Sequence, residues 1–214
     1  MKYKCLVLDH DDTMVKSTPL MHYPSFVETL NLLRPGLEIS LEKFFEYGFE
    51  PGFFNMCKDI LKFDDRETEI QYDIWRRNTD KIVPEFFEEA LQAVNQFKKN
   101  GGLVAVVSHS AVDMIKRHYR EKTEIVPDMV FGYDSKFMKP DPYPLNEIMK
   151  KFNLKPSELV MVDDLKPGYD MAKKVGVDFI WAGWSHHIQK LVDFMEKNAT
   201  VCVYDPAKLI EYII

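Results

Sequence analysis

Lys4-Cys5-Leu6-Val7-Leu8-Asp9-His10-Asp11-Asp12-Thr13 passes from apolar to acidic in a single step. The apolar run is partly β-branched and too short for a helix, so it predicts a buried strand that delivers polar residues at its carboxyl end. The same pattern recurs along the chain. Leu103–Val107 runs into Ser108-His109-Ser110, residues 159–162 into Asp163-Asp164, and residues 179–181 into Ala182-Gly183-Trp184. A weaker strand is expected over residues 200–204, ahead of a short helix after Pro206.

Amphipathic segments lie between these runs. Residues 85–99 place Phe86, Phe87, Ala90, Leu91, Val94 and Phe97 at helical spacing behind Pro84, with Gly101 just past the end. Residues 169–175 close on Gly176 in the same way, and further helices are expected over residues 112–120 and from about Tyr143. Buried strands alternating with helices predict an α/β fold with a doubly wound parallel sheet covered on both faces. In such sheets a ligand sits beyond the carboxyl ends of the strands, where the strand order reverses. Residues 17–80 break the alternation, with four helical patterns (23–33, 41–47, 52–61 and 66–78) punctuated by Pro35-Gly36, Pro51-Gly52 and Asp64-Asp65. The expected organisation is a core of residues 1–16 and 81–214 with a helical cap, residues 17–80, inserted after the first strand and able to hinge over the strand ends.

The composition narrows the function. With 214 residues and 46% hydrophobic residues, the chain can bury a large core. A formal charge of −6, with Lys and Arg interspersed among the acids, leaves no basic footprint, so nucleic acid is not an expected partner. Cys5, Cys57 and Cys202 are odd in number and widely spaced, and read as buried thiols in a reducing compartment. The apolar run of residues 5–8 is too short for a signal peptide or a membrane span, so no membrane partner and a cytoplasmic location are expected.

Each strand end carries residues with a chemical use and also an ordinary reading. Asp9 and Asp11 stand two apart, so in extended geometry both point into one site. One can ligate a metal and attack phosphorus while the other exchanges a proton with the leaving oxygen and with water, and Thr13 can orient them. An acidic run after a strand is equally a turn or a helix cap. Ser108 can bind a phosphoryl oxygen, or Ser108 or Ser110 can cap the following helix. Lys139, ahead of Pro140-Asp141-Pro142, can bridge a carboxylate and a phosphoryl group, although most lysines are simply solvated. Asp163-Asp164 follow an apolar strand and can complete an all-oxygen Mg²⁺ site with Asp9 and the backbone carbonyl of Asp11, or form a turn before Pro167-Gly168.

Together, the four features resemble the four motifs of the haloacid dehalogenase superfamily. Asp9-His10-Asp11-Asp12-Thr13 resembles its DxDxT motif, Ser108 its Ser/Thr, Lys139 its KPxP lysine and Asp163-Asp164 its acidic metal motif, over a span from Lys4 to about Gly176. The helical insertion resembles the superfamily's C1 cap, as in its phosphoglycolate phosphatase and β-phosphoglucomutase types. Asp12 and Val162 stand where many relatives have Gly, and His109 where they have Asn. Pro167 replaces the usual further acid, which leaves Asp164 as second carboxylate.

The resemblance implies a Mg²⁺-dependent phosphatase acting on a small phosphorylated metabolite through an aspartyl-phosphate. Asp9, Asp11 and Lys139 would be catalytic; Thr13, Ser108, His109 and Lys139 would contact phosphate; Asp9, Asp11, Asp163 and Asp164 would form the metal site. A carboxylate at Asp11 disfavours dehalogenase and phosphonoacetaldehyde hydrolase chemistry. A β-phosphoglucomutase-like phosphomutase is the leading alternative, and an inactive binding or regulatory module on the same scaffold is the second. His22, Tyr23, Arg76 and Arg77 are candidate specificity residues in the cap, each with a surface or packing role as its ordinary reading. The chain is expected to be a monomer or a homodimer.

Overall fold

The computed structural model describes residues 1–214. Strands β1 (Cys5–Leu8), β2 (Leu103–Val107), β3 (Met129–Phe131), β4 (Leu159–Asp163), β5 (Asp178–Ala182) and β6 (Val201–Val203) form one sheet in the order β3-β2-β1-β4-β5-β6. All neighbouring pairs are parallel. Every residue of β1 and β4 is buried, as the unbroken apolar runs require of strands covered on both faces. The chain builds outward from β1 through β2 to β3, then returns to lay β4 on the other side of β1. The strand order therefore reverses between β1 and β4, and a ligand crevice belongs at their carboxyl ends.

The helices are α1 (Tyr23–Leu33), α2 (Leu41–Phe49), α3 (Phe53–Asn55), α4 (Asp65–Thr79), α5 (Glu88–Lys99), α6 (Val112–Lys122), α7 (Tyr143–Phe152), α8 (Lys166–Val175), α9 (Gln189–Asn198) and α10 (Leu209–Ile213). No helix is long and apolar enough to cross a membrane. The chain divides into two compact units, Met1–Lys16 with Glu85–Ile214, and Ser17–Pro84. Residues 81–84 group with the helical unit rather than with the core, because the Ile82 amide folds back onto the Thr79 carbonyl at the end of α4.

In the sheet-bearing unit, Leu6, Leu8, Val104, Val106, Val160, Val162 and Ile180 pack with Val94, Phe97, Ile115 and Tyr119 of the covering helices. Helix α5 begins at Glu88, not at residue 85. Val15 pairs with Phe86 in an antiparallel bridge, and the Phe87 amide bonds to the Met14 carbonyl, which holds the residues before α5 extended. The Lys16 amide donates to the Glu85 carbonyl at 2.9 Å, so the chain leaves and re-enters this unit at adjacent points. Residues 129–131, an apolar stretch in the sequence, form the edge strand β3 beside β2.

The helical unit has its own core of Phe26, Leu30, Met56, Cys57, Leu61 and Phe63, with Phe44 and Phe53 packed against it. Helix α4 starts with a capping box, in which Asp64 accepts from the Glu67 amide and Glu67 reaches back to the Asp64 amide. A π-helical turn, Thr18–His22, precedes α1; Pro24 lacks an amide, and the Tyr23 amide bonds instead to the Thr18 carbonyl. The helix expected over residues 52–61 is split into α3 and a second π turn, Met56–Ile60. All three cysteines are free; Cys5 and Cys57 are buried and Cys202 is half-buried.

Candidate active site

Register brings the acids together. Leu8 pairs with Val162, and the Asp9 amide donates to the Val162 carbonyl at 2.8 Å, so Asp9 emerges beside Asp163 at the point where the strand order reverses. Lys139, from the segment after β3, reaches both: its Nζ lies 2.6 Å from Asp9 Oδ1 and 2.6 Å from Asp163 Oδ2. All three side chains are buried. The Leu165 amide donates to Asp163 Oδ1 at 2.8 Å, so each oxygen of this carboxylate has a donor. Gly168 makes the position possible, since a Cβ there would stand 2.1 Å from Asp163 Oδ2. Asp164 accepts from Thr13 Oγ1 at 3.3 Å through Oδ1, and its Oδ2 lies 3.0 Å from His186 Nε2.

Asp11 leaves this group. The His10 carbonyl accepts from both the Met14 and Val15 amides, and Asp12 takes a positive φ of 56°, so the strand geometry ends at once. Asp12 occupies the left-handed conformation that Gly adopts without cost and that Asp tolerates better than most residues. As a result Asp11 is turned toward the end of β2, where Ser108 and Ser110 hydroxyls donate to its Oδ2 at 3.2 and 2.6 Å. Neither serine caps α6. Its N-cap is Ala111, and the Val112 amide bonds to Asp134. Gly132 lets β3 approach closely here; a Cβ would stand 2.4 Å from the Ser110 carbonyl oxygen. His10 turns the other way, its Nε2 at 2.9 Å from His118 Nδ1, in a buried nest with Phe86 and Tyr119.

Ligand oxygens of Asp9, Asp163 and Asp164 lie within 4.8 Å of one another. Three buried carboxylates thus face one ammonium. Burial pushes Asp9 up to about 7 and Asp163 up to about 6, against the pull of Lys139, and burial also raises Asp164 well above the carboxylate range. Lys139 is firmly charged, because Asp163 and Asp9 outweigh its own desolvation. Burial and the nearby Lys139 hold His109 down to about 4, and hence neutral. The excess of negative charge and the all-oxygen donor set suit a hard divalent cation, which would compensate the buried carboxylates where one lysine does so only in part.

A family model of haloacid dehalogenase-like hydrolases matches residues 3–176. The chain belongs to that family. No curated protein matches it. Among solved structures, a haloacid dehalogenase-like family hydrolase from Streptococcus pneumoniae shares 14% identity at a TM-score of 0.78, covering 100% of this chain and 99% of its own. A predicted phosphoglycolate phosphatase from Haemophilus somnus shares 16% identity at 0.74, covering 100% and 99%. CbbY from Rhodobacter sphaeroides, in complex with xylulose-(1,5)bisphosphate, shares 15% at 0.72, covering 97% and 96%. At these identities the likeness is one of fold.

Within this haloacid dehalogenase-like chain, the structure gathers Asp9, Lys139, Asp163, Asp164 and Thr13 into one contact network. Asp11 and Ser108 form a neighbouring pair, and the Asp11 carboxylate is not among the clustered oxygens. His109 Nε2 lies 2.9 Å from the Lys139 carbonyl oxygen, so this ring braces the loop that carries the lysine. Ser110, read in the sequence only as a possible helix cap, is a site neighbour through Asp11, and His186 is one that the sequence reading did not single out. His186 lies just beyond the Ala182-Gly183-Trp184 strand end, and following that strand-end pattern two residues further would have reached it.

The cap candidates have partners inside the helical unit. Trp75 Nε1 donates to His22 Nδ1 at 2.9 Å, the Tyr23 hydroxyl donates to the Ile39 carbonyl, Arg76 pairs with Asp80, and Arg77 pairs with Glu28.

Proposed function

We propose that the chain is a Mg²⁺-dependent phosphatase that hydrolyses a small phosphorylated metabolite through an aspartyl-phosphate on Asp9. The observation that carries this reading is the buried lysine held 2.6 Å from two carboxylates, Asp9 and Asp163, beside a third. Such an arrangement sets a carboxylate nucleophile in a dry site, where Lys139 pulls it toward its ionised form against the rise caused by burial, and stores positive charge where a phosphoryl group would gather negative charge. Mg²⁺ held by Asp9, Asp163 and Asp164 would offset charge on the phosphoryl oxygens and on the attacking carboxylate.

The remaining steps fall to the chain's own residues. Asp9 attacks phosphorus through its carboxylate; the P–O bond to the leaving group breaks, and the leaving oxygen takes a proton from Asp11. Asp11, now ionised, accepts a proton from water as that water attacks the phosphorus of the aspartyl-phosphate. Inorganic phosphate departs and Asp9 is restored. The Ser108 and Ser110 hydroxyls fix the Asp11 carboxylate for both exchanges. Lys139 offsets the approach of two anions throughout. A small phosphorylated substrate is in keeping with the fold shared with CbbY, whose complex holds a sugar bisphosphate.

The test is turnover of p-nitrophenyl phosphate with and without Mg²⁺, together with Asp9→Asn. Metal-dependent turnover that disappears in a folded Asp9→Asn protein is the expected outcome. Wild-type rates in Asp9→Asn would overturn the mechanism, and a chain inert toward every phosphorylated metabolite in a screen would point to the binding module. Transfer between two positions on one sugar phosphate would point to the mutase.

A further inference from the structure

The segment that follows β5 holds both acidic loops, and nothing in the proposed chemistry uses it. Trp181, on β5, donates from Nε1 to the Asp164 carbonyl at 2.8 Å. Three residues further on, Trp184 donates from Nε1 to the Thr13 carbonyl at 3.2 Å. The Ser185 hydroxyl donates to the Asp12 carbonyl, and His186 Nε2 lies 3.0 Å from Asp164 Oδ2. The segment is itself anchored, since the Gly183 amide donates to the Val203 carbonyl of β6 at 2.9 Å. His186 is 8% exposed, too buried for its contact with Asp164 to be a surface pairing.

We propose that Trp184-Ser185-His186 is a strap that ties the Asp9–Thr13 loop to Asp164, with His186 as the positioning residue that orients the Asp164 carboxylate for metal binding. Four donors from this short stretch, two indoles, a hydroxyl and an imidazole, all end on the two loops that carry the clustered acids. Three of them grip backbone carbonyls, which fixes where the loops lie. Only His186 acts on a carboxylate, which fixes how the ligand points. Asp164 needs such help. Its other oxygen has a side-chain donor only in Thr13, at 3.3 Å, whereas Asp163 is held by Lys139 and the Leu165 amide at 2.6 and 2.8 Å. A ring hydrogen-bonded to a metal-ligating carboxylate acts as an outer partner of the site, and loss of such partners typically weakens metal binding by about 10–100-fold.

The proposal rests on the metal-dependent reading above, and its test is read on metal binding rather than on turnover. Mn²⁺ affinity of the full chain is measured by electron paramagnetic resonance for wild type, His186→Phe, His186→Gln and Asp164→Asn, with near-ultraviolet circular dichroism as the check of folding. His186→Phe keeps a ring but no donor, and is expected to weaken Mn²⁺ binding by about 10–100-fold. His186→Gln supplies an amide donor and is expected to recover most of that loss. In the Asp164→Asn background, His186→Phe is expected to add little, because the ring acts through Asp164. Wild-type affinity in folded His186→Phe would overturn the proposal, as would equal losses in both backgrounds. If His186→Phe does not fold, His186→Gln and His186→Ala carry the same comparison, and equal affinity in these two overturns the proposal. A wild type that binds no Mn²⁺ overturns the metal-dependent reading itself, and the strap's role with it.

Discussion

In the sheet-bearing unit, Asp9, Asp163, Asp164 and Lys139 are buried together at strand ends, whereas in the helical unit Arg34, Arg76 and Arg77 stand nearer the surface, each against its own acid. The first arrangement costs desolvation and is compensated only in part, by one lysine among three carboxylates. The second satisfies itself pair by pair: Arg34 reaches Glu67 through both terminal nitrogens and also the Leu61 carbonyl. Uncompensated buried charge marks the place where a ligand is needed, while locally paired charge holds a scaffold. Substitutions should therefore act on chemistry in one unit and on stability in the other.

The contrast breaks most visibly at Lys139. Lys139→Met removes the sole cation among the clustered acids, and should lower turnover by about 10²–10³-fold. Without metal it should also destabilise the sheet-bearing unit by about 3–5 kcal/mol, the usual result of removing one partner from a buried ion pair. Thermal unfolding in EDTA and steady-state rates read the two effects. A variant that keeps wild-type rates would remove Lys139 from the chemistry.

In the helical unit the expectation is the reverse. Phe26→Ala, at a site 1% exposed in that unit's core, should cost about 3–5 kcal/mol by thermal unfolding, yet leave Mn²⁺ affinity at the Asp9 cluster unchanged. Arg77→Ala, in an exposed pair with Glu28, should change neither measurement. Lost metal binding in Phe26→Ala would show that the units do not divide the labour as described.

A smaller effect than that of Lys139→Met or Phe26→Ala is expected when pH is varied. Burial raises the folded-state values of Asp9 and Asp163 to about 7 and about 6, above the value near 4 expected of an unfolded carboxyl. Folding therefore favours the protonated forms. The contribution to stability is complete below about pH 4 and is lost as pH rises through the folded values. The Tm of the metal-free protein should fall between about pH 5 and about pH 8, at about 2–4 °C for each kcal/mol lost. Asp9→Asn, lacking one titrating group, should show a shallower fall. A Tm that rises across that window would contradict the electrostatic description.

Much of the sheet-bearing unit was legible because buried parallel strands must be apolar throughout and can show polar residues only where they end. Residues 5–8, 103–107 and 159–162 declare themselves that way, and Asp9, Asp163 and Asp164, after the first and third of these runs, lie together. The direction of Asp11 was not legible. It depends on a turn at Asp12, and extended geometry carried past Asp9 placed both side chains in one pocket. His186 lies in a loop without periodicity, so its contact depends on where β5 sits in the sheet and not on local pattern. In the helical unit the helices were legible from spacing and punctuation, but the two π turns were not, because a helical period does not mark where single turns widen to an i→i+5 bond. The partners of His22, Tyr23, Arg76 and Arg77 come from other segments or other turns, which residue type alone does not reveal.

The bond between the Lys16 amide and the Glu85 carbonyl, next to the Val15–Phe86 bridge, closes the insertion at its base as a hairpin closes its loop. The parallel sheet therefore sees the whole of Ser17–Pro84 as one connection with fixed ends. Closure entropy grows only logarithmically with connection length, each doubling adding about 0.6 kcal/mol. Lengthening, shortening or exchanging the insert is thus a small perturbation to the unit that carries the acids, so the two units can vary in length and sequence independently.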